Sequence, residues 1–545
     1  MNGVQILDCT LRDGGRIIDC KFNDRDIKDI VQRLTDANID IVEMGFLRDP
    51  AKVDYIGNST FFTKVSQIVP FLPIDRQGTS FAAFIDFSLY DFTTLDAYDG
   101  TSIDILRVGF TYNDFKYDYK NLVNALKHVK AKGYKLYIQG INSLAYSDLE
   151  FLQLIETVNQ IRPSAFAIVD TYGAMYLDDI RHFFELANRN LLSEINLAFH
   201  SHNNFQMSFA LAQEIIHLCQ EHRRSVVVDT TLNGMGKCAG NLNTELIVEF
   251  LIRKLHMNYN FEMILDIIDE YMYSLKKNAD WGYSIPAVMA AIHKSHPNNI
   301  IYLTEKFRLA TKDIMHILAM IPPDVRQKYD YDLIKKLYIK HNHIKIDDSK
   351  TLKEIKTFLQ NRDVLLLFPG KTILEYADKI KSYILDKNPV IISVNFSSEL
   401  LSGYKNIAFW GSEKRYKKFK RLHGMPENNI VVSNILEHSD DDFVVNYESL
   451  IQRDNDYFDT SSIMLLNLLQ RINIQNFTIA GLDGFVNNGQ NYFDADVFDD
   501  GRFNNSYIRL TNNTREMLIE YSKKMSNKST VNFLTPSVYK DIFKK

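Results

Sequence analysis

The most chemically suggestive pattern in the chain is the His-x-His of AFHSHNN, where His200 and His202 close an apolar run. Side chains two apart on a strand share a face, so both imidazoles can grip one ion. Asp13, just past the first apolar run in LDCTLRDGG, would add a hard oxygen. Two imidazoles and one carboxylate leave positions open for water and substrate on an octahedral ion. The set suits Mn²⁺, Mg²⁺, Fe²⁺ or Zn²⁺, and ligand type alone does not choose among them. Taken by itself, the motif also reads as a chance surface pair.

These residues need a frame that brings them together. Short apolar runs at 4–7, 39–44, 81–85, 103–108, 135–139, 166–169, 195–199 and 225–228 read as strands. Amphipathic stretches at 24–37, 119–131, 147–161, 177–187 and 207–221 lie between many of them. Strand alternating with helix implies a parallel sheet, and eight units of this length favour a closed TIM (β/α)8 barrel over a doubly wound open sheet, the alternative of similar content. Each run stops at a polar group: Asp8, Glu43, Asp86, Arg107, Gln139, Asp170, His200 and Asp229. In a barrel such ends converge on one mouth, where chemistry sits.

The 545 residues, 46% apolar and 24% charged, are those of a globular chain with several domains. A net charge of -5 predicts no nucleic-acid partner. Cys9, Cys20, Cys219 and Cys238 are scattered without a CxxC pair, as in a reducing compartment. With no signal-peptide pattern and no run of apolar residues long enough for a membrane span, the expected location is cytoplasmic. The domain expectation is a barrel over 1–285, a helical connector over 286–355 and an open Rossmann-like α/β domain over 356–545.

LDCTLRDGG, HSHNN and DTTLNGMGKCAGNLNTE occur in this order with barrel-like spacing. Together they resemble the DRE-TIM metallolyase family, which includes 4-hydroxy-2-oxovalerate aldolase, 3-hydroxy-3-methylglutaryl-CoA lyase and 2-isopropylmalate synthase. The resemblance covers about residues 4–300. It implies that Asp13, His200 and His202 are metal ligands and that Asn241 of AGN completes the shell. It also implies that Arg12 holds a developing enolate oxygen. Glu43 in VEMGF resembles the family's strand-two glutamate, either near the reaction or bracing Arg12. The ion expected first is Mn²⁺ or Mg²⁺, with Zn²⁺ and Fe²⁺ as alternatives. It would chelate a 2-oxo acid and act as Lewis acid and template.

The sequence departs from the family at the base. The aldolases carry a histidine shortly after Arg-Asp-Gly, where this chain has Arg16. Arginine is a poor base, so Arg16 reads as a ligand for a substrate carboxylate or phosphate, or as a solvated loop charge. Tyr283 in DWGYSIP is the candidate proton carrier, metal-bound water being the other option. Arg107, Gln139 and Asp170 are expected to bind substrate, and Cys238 to be structural. Arg12, in a loop, is expected to serve the transition state and not the fold.

In the second domain, LLLFPGKTI joins a strand to a helix through Pro369-Gly370-Lys371-Thr372. Free N–H groups at such a start attract anions. The order of turns faintly resembles bacterial sialyltransferase-type Rossmann domains, which implies a nucleotide or nucleotide-sugar partner. The leading function is a metal-dependent aldolase or lyase of a 4-hydroxy-2-oxo acid, with a 2-oxo acid and an aldehyde as its small molecules. The alternatives are a Claisen-type acyl-CoA synthase or lyase, and a scaffold barrel carrying a nucleotide binder. A homo-oligomer is expected.

Overall fold

The computed structural model describes the chain except for residues 1–2, 54–58, 278, 308, 310, 323–324, 327–328, 345, 398–403, 405, 454–459, 486–490, 494–506, 527–528 and 544–545. The chain forms two compact units. One comprises Met1–Ile300 and Pro322–Tyr329, the other Ile301–Ile321 and Asp330–Lys545. The helices within 286–355 are therefore divided between the two cores. Among the described residues, no helix is long and apolar enough to cross a membrane.

The first unit is a closed parallel barrel. Its strands are β1 (Val4–Asp8), β2 (Ile41–Leu47), β4 (Ser80–Asp86), β5 (Ile105–Phe110), β6 (Lys135–Gly140), β7 (Ala165–Asp170), β8 (Asn196–Ser201) and β9 (Val226–Thr230), with the short β3 (Phe61–Phe62) appended to β2. β1 pairs in parallel with both β2 and β9, which closes the ring. Alternation along each strand sorts side chains into two cores. Ile41, Ile105, Tyr137, Ala198 and Val227 pack inside the barrel, while Ile6, Val42, Leu106 and Val228 pack outward in a larger cluster that includes helix residues. The intervening helices carry ordinary start signals. Ser147 and Glu150, for example, form a reciprocal capping box at Asp148–Ile161. At Gly45, φ of +148° accompanies a register shift in β2, and any side chain there would collide with the Thr60 carbonyl oxygen.

The second unit holds an open sheet of seven strands: β10 (Val364–Leu367), β11 (Val390–Val394), β12 (Asn406–Trp410), β13 (Ile430–Val432), β14 (Phe443–Val445), β15 (Asn476–Ala480) and β16 (Thr530–Phe533). The order is β14-β13-β12-β11-β10-β15-β16, and every pairing is parallel. Strands such as Val390–Val394 are buried throughout, as befits a sheet covered on both faces. β14 and β16 were not expected from sequence. Both lie at sheet edges, where β14 is only three residues long and β16 keeps every residue at least partly exposed.

Candidate metal centre

Period-two geometry decides which strand ends meet at the mouth. Two residues beyond Ile41, Ile105, Tyr137, Ala198 and Val227 of the inner core stand Glu43, Arg107, Gln139, His200 and Asp229. They form a polar layer directly above an apolar one, and all five are buried. Asp8 and Asp170 have the opposite parity and turn away from this layer. Asp8 accepts from Thr10 N–H and the Thr244 hydroxyl, and Asp170 from the N–H groups of Ala174 and Met175.

The polar layer is a relay of charge pairs. Arg107 donates to Asp229 and lies 3.0 Å from Glu43 Oε2. With its amide oxygen toward the guanidinium, Gln139 accepts from Arg107 Nε at 3.1 Å. Asp229 Oδ2 receives His200 Nδ1–H at 2.9 Å. That bond leaves the His200 Nε2 lone pair facing Asp13 Oδ2 at 3.9 Å. His202 is set the same way, with Nδ1 against the Asp170 carbonyl oxygen (3.4 Å) and Nε2 toward Asp13 Oδ2 (3.1 Å). Histidine ligands are commonly oriented by such bonds from the other ring nitrogen. One ligand atom from each of Asp13, His200 and His202 lies within 4.8 Å of the other two.

Asn241 stands beside them, bridged through its backbone to His202. Its Nδ2 donates to the Met235 carbonyl, and its Oδ1 is buried without a donor among the described residues. The adjoining Gly240 takes φ of +78° and packs so close to the Gly234 carbonyl that no side chain fits. Three converging acceptors and an orphaned fourth are the donor set a hard or borderline divalent ion takes, so the residues present fit a metal. Protonation agrees. Burial works to raise the Asp13 carboxyl, but Arg12 and the two imidazoles hold it well below the usual range. Burial lowers His200, against the pull of Asp229 and Asp13, and so favours the neutral ring that ligates.

Arg12 is almost wholly buried. Its Nε donates to Glu43 Oε2 (2.5 Å), its Nη1 to Asp13 Oδ1 (2.7 Å), and its guanidinium lies 4.5 Å from the Phe84 ring centroid. Nη2 is buried with no acceptor among the described residues. Arg16 is 36% exposed at the rim, 3.2 Å from Asp13 and 3.8 Å from Asp86.

The structure sets two of the expected substrate contacts, Arg107 and Asp170, and the expected proton carrier, Tyr283, in the following surroundings. Arg107 is fully enclosed and spends its charge on Glu43 and Asp229, so it braces the layer instead of facing a ligand. Asp170 ties down its own loop. Tyr283 is 64% exposed and makes no hydrogen bond among the described residues, outside any enclosed setting for proton transfer. Cys238 is unpaired, and burial pushes its thiol up to about 11, which suits a structural role. Sequence reasoning passed over Arg48, which pairs with Asp86 and stacks on Phe46.

In the second unit, the turn expected to offer free N–H groups is already filled. Thr372 N–H donates to Asp483 Oδ2 at 2.9 Å, and its hydroxyl meets Asp483 and Thr535. The helix that begins there, Thr372–Glu375, is one turn long. A carboxylate of the chain thus takes the place an anion would occupy. A second cluster of metal-ligand type, Asp313, His316 and His341, lies on helices Thr311–Ala319 and Tyr331–His341, with His316 exposed.

A model of the HMGL-like family matches residues 3–270. An oxaloacetate decarboxylase of Mycobacterium tuberculosis (strain ATCC 25618 / H37Rv) is 24% identical over 260 residues, covering 46% of this chain and 71% of that protein. A 2-isopropylmalate synthase of Geobacillus sp. (strain Y412MC10) is 26% identical over 257 residues, covering 45% of this chain. The chain spans just under half, 46%, of that relative's length. Among solved structures, the HMG-CoA lyase from Brucella melitensis is similar with 13% identity and a TM-score of 0.42, covering 51% of this chain and 100% of that one.

Proposed function

We propose that the barrel-forming part of the chain, which a model of the HMGL-like family matches over residues 3–270, is a divalent-metal-dependent carbon–carbon lyase or aldolase that makes or breaks a bond of a 4-hydroxy-2-oxo acid. The observation that carries this reading is the pairing of opposites at the mouth. Three acceptors converge from Asp13, His200 and His202, and among the described residues Asn241 Oδ1 is left without a donor and Arg12 Nη2 without an acceptor.

The ion proposed is Mn²⁺ or Mg²⁺, which would polarise a keto group and orient the neighbouring carboxylate. The chain's own residues do the rest. Arg12 holds a fixed positive charge and a spare N–H where negative charge builds on the substrate oxygen, and stabilisation of this kind is commonly worth about 3 kcal/mol. Glu43 keeps Arg12 from swinging, and Arg107 keeps Glu43 in place. Asp229 fixes the ring of His200. The relative named as an oxaloacetate decarboxylase supports a 2-oxo acid as the reacting partner. The relative named as a 2-isopropylmalate synthase favours a second reading, a Claisen-type condensation with an acyl-CoA.

The test is exchange of the methyl hydrogens of pyruvate with deuterium oxide, which needs enolate formation but no second substrate. The full chain with Mn²⁺ should catalyse exchange, and chelation should stop it. Absence of exchange with Mn²⁺, Mg²⁺, Zn²⁺ and Fe²⁺ alike would overturn the proposal. Release of free thiol from acetyl-CoA in the presence of a 2-oxo acid would assign the chain to the second reading.

A further inference from the structure

We propose that Asp313, His316 and His341 form a second metal site, in the second unit, which takes a transition-metal ion of the Zn²⁺ class and clips two helices together. It shares no residue with the barrel mouth and stands whether or not the barrel holds an ion.

The two helices, Thr311–Ala319 and Tyr331–His341, pack against each other within that unit. Their buried residues are Ile314, Ile317 and Leu318 on the first and Ile334 and Tyr338 on the second. Residues three and four apart share a helix face. Asp313 stands one turn before the buried Ile317, and His316 follows Asp313 by three, so both border the seam. His341 follows Tyr338 by three, which carries the buried stripe of the second helix to its last residue.

One ligand atom of each of the three lies within 4.8 Å of the other two. His341 Nε2 is 3.7 Å from Asp313 Oδ1, and the ring centroids of His316 and His341 are 5.8 Å apart. The first separation is too long for a hydrogen bond. It is close to the edge of a coordination tetrahedron, since metal bonds of about 2.0–2.1 Å set neighbouring ligand atoms about 3.3 Å apart. The Asp313 and His341 side chains are 18% and 24% exposed, and His316 is exposed. Among the described residues no lysine or arginine reaches Asp313, and no hydrogen bond engages any of the three side chains. The fold thus sets two ligands in place, and the third can turn onto an ion.

Two imidazoles and one carboxylate form a borderline donor set, for which Zn²⁺ outcompetes Mn²⁺. Three protein ligands leave the fourth tetrahedral position to water. The competing account is a plain ion pair between Asp313 and a protonated His341. An aspartate in the first turn of one helix and a histidine in the last turn of the other would also suit the helix dipoles. That account gives His316 no part, so His316 decides between the two.

The test is the number of Zn²⁺ ions bound by the untagged full chain in equilibrium dialysis over a range of free Zn²⁺. Wild type should bind one equivalent more than His316→Ala, a variant that removes only an exposed side chain. Asp313→Asn should weaken this equivalent by at least the roughly 10–100-fold that loss of an outer partner costs. Co²⁺ reads the geometry, because tetrahedral Co²⁺ absorbs visible light far more strongly than octahedral Co²⁺. The intense bands should appear in wild type and in the His200→Ala, His202→Ala variant, and vanish in His316→Ala. Saturating Zn²⁺ should raise the urea midpoint of wild type more than that of His316→Ala, as an ion that binds only the packed helices must. Equal Zn²⁺ binding, or identical Co²⁺ spectra, in wild type and His316→Ala would overturn the site. Equal shifts in midpoint would overturn the clip. Absence of pyruvate exchange would leave the difference between these two proteins untouched, so the two readings fail separately.

Discussion

Arg12 is committed twice, once to the fold and once to the oxygen it is proposed to face. Its Nε and Nη1 are bound by Glu43 and Asp13, and only Nη2 is spare. Replacing it with alanine leaves Glu43 buried with Arg107 as its remaining cation. Breaking a buried pair in this way costs about 3–5 kcal/mol. Arg12→Ala should therefore lower the unfolding midpoint clearly, against the expectation from sequence that only turnover would suffer. Arg12→Lys keeps the charge but loses the fork. It should retain more stability and still slow pyruvate exchange by roughly 10²–10³. An unchanged melting temperature in Arg12→Ala would refute the structural half, and wild-type exchange in Arg12→Lys the chemical half. Asp8 makes a prediction about pH. Burial pushes its carboxyl up to about 6, despite its bonds from Thr10 and Thr244. A carboxyl whose folded pKa lies above its unfolded value is harder to ionise in the native state. Its contribution to stability is therefore greatest below about pH 4 and declines as pH rises toward about 6, by a few kcal/mol at most. Asp8→Asn should flatten that limb of the stability curve. Parallel curves for the two proteins between pH 4 and pH 7, followed by urea unfolding, would show that Asp8 does not titrate there.

At the scale of elements, strand parity explains both what the sequence disclosed and what it withheld. All eight barrel strands were legible, because each is a short apolar run between amphipathic helices. The polar strand ends were legible too, but taking the last residue of each run ignores which face it occupies. Counting in twos from Ile41, Ile105, Tyr137, Ala198 and Val227 picks out the mouth residues and sets Asp8 and Asp170 aside. The PGKT turn was visible, yet its partner Asp483 is 111 residues away from Thr372 in the chain. Helix Ser349–Leu359 shows the same limit. Its Ile355 and Leu359 belong to the core of the open sheet, and Asp348 at its start holds Arg471 and Asn446 N–H. A fragment beginning at residue 356 cuts this helix. A fragment of 346–545 should be more stable in urea than one of 356–545. Equal midpoints would mean that the helix contributes nothing to that core.

For the whole molecule, the account joins two chemistries of opposite sign at one barrel mouth. Acceptors from three separate parts of the chain, Asp13, His200 with His202, and Asn241, are gathered where an ion fits. Around them Arg12 and Arg16 present positive charge. The second unit has its own core and its own cluster of Asp313, His316 and His341, so a total metal count does not by itself locate the ion. The central claim is that the barrel holds one divalent ion through Asp13, His200 and His202. The decisive measurement is Mn²⁺ bound per chain, read by electron paramagnetic resonance, in wild type and in a His200→Ala, His202→Ala double variant whose fold is verified by circular dichroism. The account predicts that the double variant binds one equivalent less than wild type. Equal binding by the two proteins would contradict it.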